Sequence, residues 1–273
     1  MFQFFKESNK YLYHYTTVET AISYIIKSQT IKIGRYIKTN DPKEAKNWQF
    51  FIGTNENRDL GSYNMEELSK KVTYELKNKT NVVCFSKDNA ELSGNHMEDI
   101  FKRGFCKPRM WAQYGGNHTG VCLIFNKQKL NNEINSQFLS GYHIFSGSVV
   151  YKNRIIVEDI SKSAYGVNID YLERMEIKDY IKAHIYKHYG RLFFEKALDW
   201  RDENEFRWVI FGDKEEDLYL EYNDSLEGIV FGADTLEKNI SMIVSTTKGT
   251  QVHFEQLVWK NCTPWFSFRL KWV

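Results

Sequence analysis

The sequence predicts an α+β fold: a single domain over residues 1–273, with a mixed or split, antiparallel-rich β-sheet and flanking helices. Three observations lead there. Strand-like apolar runs are scattered from one end of the chain to the other, with helical segments between them. Only Pro42, Pro108 and Pro264 are present, so there is no Pro-rich linker. Aromatic residues make up 16% of the chain, with seven Trp, a composition suited to sheets and stacking surfaces.

Taken in order, YLYHYT at 11–16 has the alternation of a short strand. Thr16 with Glu19 fits a capping box that opens a helix through about Ser28. Ala21, Ile22, Ile25 and Ile26 give that helix one apolar stripe. TIKIGR reads as a strand, and TNDPKEA as a turn preset by Pro42. Residues 65–78 read as a helix, NVVCFS as a buried strand, and 88–107 as a loop. Pro108 suits a first helical position in PRMWAQYG, which Gly115 and Gly116 stop. GVCLIF is another buried strand, followed by a short helix and loop over 126–140. SGSVVY reads as a strand. The stretch from Asp170 to about Leu198 is helical, with a break near Tyr189 and Gly190. DWRDENE is a polar loop leading into the strand FRWVIF. LEGIVFG is a strand, residues 235–247 a helix, and QVHFEQLVW and WFSFRLKW close the chain as strands within 251–272.

At 42% hydrophobic and 26% charged residues, disorder, collagen and membrane-bundle classes are excluded. No run of about 18 apolar residues is long enough to span a bilayer. MFQFFKESNK lacks the basic head and apolar core of a secretory signal. Cys84, Cys106, Cys122 and Cys262 form no CxxC pair and no Cys/His ligand spacing, which points to a reducing, cytoplasmic setting and no metal site. His184 and His188 are one helical turn apart, but HIYKH lacks the Glu of a zinc-hydrolase motif and reads as a helix face. The net charge of +2 conceals an asymmetry. Residues 100–157 carry eight basic residues against the single acid Glu133, and residues 158–237 carry ten basic against twenty acidic ones. Either the two segments pair, or the basic one faces a phosphate-bearing ligand.

Five polar clusters interrupt the core pattern: His14 in LYHYTT, Asp41 and Glu44 in NDPKE, Ser86 in VVCFS, His118 in MWAQYGGNHTG, and Glu203 and Glu205 in ENEFR. Each has a plain structural explanation as a core histidine, a turn, a cap, a tight loop or an ion pair to Arg207. They share a position at strand ends, where clefts form. On an extended backbone residues i and i+2 point the same way, so Glu203 and Glu205 would present two carboxylates to one cleft. Such a pair suits a reaction through a positively charged sugar carbon. Tyr15, Trp111 or Tyr114 could sandwich a planar base.

The order LYHYT, NDPKE, CFS, MWAQYGGNHTG, ENEFR over about residues 11–233 resembles a widespread bacterial family of uncharacterised domains. More distantly, the chain is similar to the ADP-ribosyltransferase superfamily. That resemblance implies an ADP-ribosyltransferase-like fold and NAD as co-substrate, with a protein or nucleic-acid acceptor, in a toxin or phage-defence setting. It implies that His14, beside Tyr15 and Thr16, holds an NAD ribose, with Ser86 nearby. It implies that Tyr114 (or Trp111) packs on nicotinamide. Glu205 is implied to bind the ribose 2′-hydroxyl and stabilise the oxocarbenium-like transition state, with Glu203 acting on the acceptor. Lys107 and Arg109 would meet the pyrophosphate or the acceptor. The Ser-Thr-Ser element of toxin-like members is absent, with only CFS in its place. Asp41, Glu44 and His118 have no counterpart there and are expected to serve the target or order loops. Two other readings remain. A non-catalytic module would hold single-stranded nucleic acid on the same aromatic and basic surface. A metal-dependent nuclease would use Asp41, Glu44, His14 and His118 as ligands.

Overall fold

A computed structural model of the chain describes residues 7, 9–89, 91–154 and 164–266. The first strand, β1 (Tyr11–Thr16), leads into α1 (Val18–Thr20), which widens into a π-helical turn over Ala21–Ile26. The cap is Thr17 and not Thr16: the Thr17 hydroxyl accepts from the Thr20 N–H, because Thr16 is still paired with Val121 in the sheet. Next come β2 (Thr30–Arg35), α2 (Pro42–Ala45), β3 (Phe51–Gly53), α3 (Met65–Asn78) and β4 (Thr80–Ser86). The NDPKE segment is thus a single helical turn, capped by the Asp41 carboxylate accepting from the Lys43 N–H at 2.9 Å. Asn64 caps α3 in the same way.

The expected loop over 88–107 contains α4 (His96–Asp99), and α5 (Pro108–Gln113) follows it. The middle of the chain runs β5 (Val121–Asn126), α6 (Lys127–Phe138), β6 (His143–Ser148), β7 (Val150–Tyr151), β8 (Gly166–Asn168), α7 (Ile169–Arg174) and α8 (Ile177–Phe193). Two expectations shift here. SGSVVY splits between β6 and β7, and the long helix breaks at Met175–Glu176 while α8 runs straight through Gly190. The chain then forms β9 (Glu195–Lys196), β10 (Glu205–Phe211), β11 (Leu218–Glu221), β12 (Leu226–Phe231), α9 (Glu237–Thr246), β13 (His253–Lys260) and β14 (Thr263–Phe266). The expected last strand continues beyond Phe266, outside the described residues.

A ten-stranded sheet forms the core, with helices on both sides. One edge of β4 is covered along its length by β10, which pairs in turn with β6. The other edge is shared. Tyr13 of β1 meets Ser86 at one end, while Gly34 and Arg35 of β2 meet Val82 and Asn81 at the other. From this fork one branch continues through β5, β12, β13 and β14, and the other ends with β11. Every pairing in the main sheet is antiparallel except β12 with β13. The sheet is therefore mixed, split and antiparallel-rich.

Both faces are covered, so the central strands read as continuous apolar runs and not as alternating ones. Leu12, Val83, Phe85, Leu123, Trp208 and Ile229 face α6 and α9. The opposite face has two separate clusters. Val82, Val209 and Phe211 pack against α3 and α8, and Tyr13, Tyr15, Cys122 and Val230 pack against α5. Period-two alternation places Glu205 and Arg207 on the Val209 face, between those clusters. No helix among the described residues is long and apolar enough to cross a membrane.

The loop after α5 is built by close backbone approach. Gly116, Asn117 and His118 take successive positive φ values of 58°, 52° and 69°. The loop then docks on β12, where Gly232 donates to the Gly120 carbonyl at 3.0 Å. A Cβ on Gly232 would lie 2.1 Å from the His118 carbonyl oxygen. Gly232→Ala is therefore expected to cost at least about 1–3 kcal/mol in urea unfolding. An unchanged midpoint would show that the loop yields freely.

Candidate functional site

Where β1 and β4 diverge, the surface opens into a cavity of about 350 Å³. Tyr13, His14 and Tyr15 line it from β1, Cys84, Phe85 and Ser86 from β4, and Met110 and Tyr114 from α5 and its cap. Glu44, Lys196, Glu203 and Glu205 supply its charged wall.

The two acids reach the cavity by an unexpected route. Glu203 ends a 3₁₀ turn (Leu198–Glu203), and Asn204 is left-handed at φ 44°, so the pair is not carried by one extended strand. The Asn204 amide explains the kink: it donates to the Lys87 and Asp88 carbonyls at 3.1 and 2.8 Å, pinning the turn to the end of β4. Both carboxylates still converge. Lys196 Nζ lies 2.8 Å from Glu203 Oε2 and 3.0 Å from Glu205 Oε2. The Tyr114 hydroxyl donates to Glu203 Oε1 at 2.7 Å and accepts from Asn40 Nδ2 at 2.7 Å.

Arg207 is fully buried, and each of its three guanidinium nitrogens has a partner. Its Nε and Nη2 clasp the Glu205 carboxylate at 2.6 and 2.7 Å. Its Nη1 donates to Glu44 Oε1 at 2.6 Å and to the Phe193 carbonyl at 2.8 Å. Burial pushes the Glu205 carboxyl up, but Arg207 and Lys196 outweigh it and bring it down to about 2. Burial alone would lower Lys196, yet Glu205 and Glu44 hold its ammonium well above the usual range. Three carboxylates and two cations thus share the wall, a formal balance of −1.

Glu44 is placed by its backbone. Buried Lys77 donates to the carbonyls of Lys43, Glu44 and Lys46, closing the turn that Asp41 opens. Burial brings the Lys77 amine down to about 7. On the far wall His14 Nδ1 lies 3.4 Å from the Cys84 carbonyl, and burial lowers the imidazole pKa. The Ser86 hydroxyl donates to the Glu203 carbonyl at 2.7 Å.

Several expected site residues lie elsewhere or serve the frame. Trp111 is fully buried, donates to the Phe105 carbonyl and packs edge-on against Tyr15, so of these two middle-segment aromatics it is Tyr114 that lines the cavity. Tyr15 does line the cavity, with its hydroxyl spent on the Gly104 carbonyl, while Thr16 is held in the β1–β5 ladder. His118 stacks beside Trp111 and lines a separate groove with Asp234 and Trp259. The nuclease ligand set is therefore not assembled, and no cluster of three metal-competent residues occurs among the described residues. Part of the basic segment meets the acidic one. Arg109 meets the Asp199 carbonyl and Asp202, Lys107 donates to the Asp202 and Glu203 carbonyls, and Lys129 pairs with Asp224. These cations have partners within the fold, while the Arg109 side chain stays half exposed. All four cysteines are free thiols.

Lys196 and Asn40 had no sequence signal, since each acquires meaning only beside the distant Glu203 and Tyr114. Residues 110–208, just over a third of the chain, match the sequence model of a family described as "Protein of unknown function (DUF2971)". That span holds Tyr114, Lys196, Glu203, Glu205 and Arg207, but not His14 or Glu44. No curated protein and no solved structure matches the chain.

Arg207→Met strands two buried carboxylates and is expected to cost about 3–5 kcal/mol in urea unfolding. A loss under about 1 kcal/mol would mean that water reaches them. The folded Glu205 carboxyl sits at about 2 against an ordinary 4.5. Its ionisation therefore stabilises the fold fully above pH 4.5, and that contribution is lost as pH falls towards 2. Glu205→Gln should flatten this part of the stability–pH curve; identical slopes for both proteins would refute the pairing.

Proposed function

We propose that the cavity is the nicotinamide–ribose site of an NAD-dependent ADP-ribosyltransferase. The observation that carries the reading is convergence. His14 from the first strand, Tyr114 from the middle of the chain and Glu203 and Glu205 from the start of a late strand line one cavity. It opens at the fork of a split, antiparallel-rich sheet. These are the three places, and the kind of sheet, that the resemblance to ADP-ribosyltransferases implies.

The residues divide the work. Tyr114 offers its ring to the nicotinamide. Burial favours neutral His14, and with Nδ1 engaged by the Cys84 carbonyl its Nε2 is the acceptor for a ribose hydroxyl. The N-glycosidic bond breaks with its electron pair leaving on nicotinamide, and positive charge develops at the ribose C1′. The net-negative wall stabilises that charge in a low-dielectric site. The structure shifts emphasis between the acids. Both Glu205 oxygens are taken by Arg207 and Lys196, which suits it to supply fixed charge. Each Glu203 oxygen has one donor, Tyr114 or Lys196, and keeps acceptor capacity. Glu203 is therefore the acid that takes a sugar hydroxyl or the acceptor's proton as its nucleophile attacks C1′.

Nicotinamide release from NAD in the presence of a cell lysate tests the reading. Glu203→Gln and Glu205→Gln should each lower it by about 10²–10³-fold, while His118→Ala leaves it unchanged. Full activity in both Gln variants, or no release by the wild type, overturns the assignment.

A further inference from the structure

Glu44 stands out from the rest of the charged wall. Its side chain is 1% exposed and lines the cavity. Oε1 is taken by Arg207, but Oε2 has no hydrogen-bond partner among the described residues. The other two acids of the wall have donors on both oxygens. A buried acceptor without a donor is costly, so such groups are rare unless something else supplies the proton. Nor is Glu44 there by slack. Asp41 caps its turn, Pro42 starts it, and Lys77 holds the Glu44 carbonyl at 2.7 Å. The fold therefore fixes a rigid acceptor at a cavity wall and leaves it unspent.

We infer that Glu44 Oε2 accepts an N–H from the ligand and selects a planar ring that bears an uncharged amide. This rests on the NAD reading, under which the ligand's donors in the cavity are ribose hydroxyls and the carboxamide –NH₂. The hydroxyls have His14 and Glu203; the carboxamide is the remaining donor. A ring bearing a carboxylate in place of the amide has no N–H to give and would set an anion against Glu44. Glu44 would thus be a specificity residue, contributed by the NDPKE segment, which the resemblance to ADP-ribosyltransferases leaves without a role.

Nicotinamide and nicotinate differ only at this group, and neither is consumed. Ligand-observed saturation-transfer NMR titrations with the full chain compare them directly. Wild-type protein should bind nicotinamide at least about 10-fold more tightly than nicotinate, the size expected for a charge-assisted hydrogen bond. Glu44→Gln can turn its amide oxygen to Arg207 and present –NH₂ to the cavity, so it should abolish or reverse that preference. Equal binding of both ligands by the wild type overturns the inference without recourse to a variant. So does a preference that survives in a folded Glu44→Gln protein. In both cases the NAD reading stands. If the wild type binds neither ligand and does not bind NAD, the NAD reading falls and this inference falls with it.

Discussion

The site depends on one buried guanidinium. Arg207 projects from the middle sheet between two apolar clusters and binds three separate parts of the chain. These are the start of its own strand through Glu205, the NDPKE turn through Glu44, and the end of α8 through the Phe193 carbonyl. Burying charge is expensive, and an ion pair of this kind repays little net stability compared with a well-packed apolar core. What it provides is position. A fork-shaped cation with five donors accepts few arrangements of its partners. Two carboxylates that would otherwise repel are held at the same wall, and Lys196 bridges one of them to Glu203.

The cavity itself follows from strand pairing. β4 has two neighbours on one edge, and neither covers it fully. Past Tyr13, β1 leaves β4 to stay with β5, and the His14 ring turns to the Cys84 carbonyl. A sheet that stayed closed would have filled this space with backbone hydrogen bonds. The same divergence explains why the apolar packing on that face falls into two clusters with a polar strip between them.

Much of this was legible in the sequence, for identifiable reasons. β4, β5, β10 and β12 are readable because strands buried on both faces are apolar runs bounded by turn residues, and β1 and β2 because their residues alternate. The helix at 65–78 is readable because Leu68, Val72 and Leu76 recur at a helical period, and the structure adds the Asn64 cap. The short strands β3, β8, β9 and β11 were not, since two to four residues carry no period. Gly190 does not end its helix because it lies on the exposed side while Ile185, Leu192 and Phe193 hold the buried side on both flanks, and the break comes where Met175 turns extended. At the site, sequence spacing identified Glu203 and Glu205 but gave the wrong geometry for them, because Asn204 is left-handed. The charge blocks meet in part: Lys107, Arg109, Lys129 and Arg154 reach residues of the acidic segment, while Lys102 and Arg103 pair with Asp99 and Asp88. Only three-dimensional proximity separates Tyr114, which faces the cavity, from Trp111, which supports it three residues earlier.

The pairing of β4 also bears on how the protein is made. Its partners lie far apart in the chain: β1 and β2 come before it, and β10 follows more than a hundred residues later. During synthesis the nascent chain can assemble β1, β4 and β5 while Lys196, Glu203 and Arg207 are still to be translated. The wall of the cavity is therefore completed late, and contacts of such long sequence separation form slowly. A half-made chain would hold His14, Glu44 and Tyr114 without Lys196, Glu203, Glu205 and the Arg207 that anchors Glu44. The charged wall therefore joins a frame whose other side has already been synthesised, and Arg207 closes it by reaching back to Glu44.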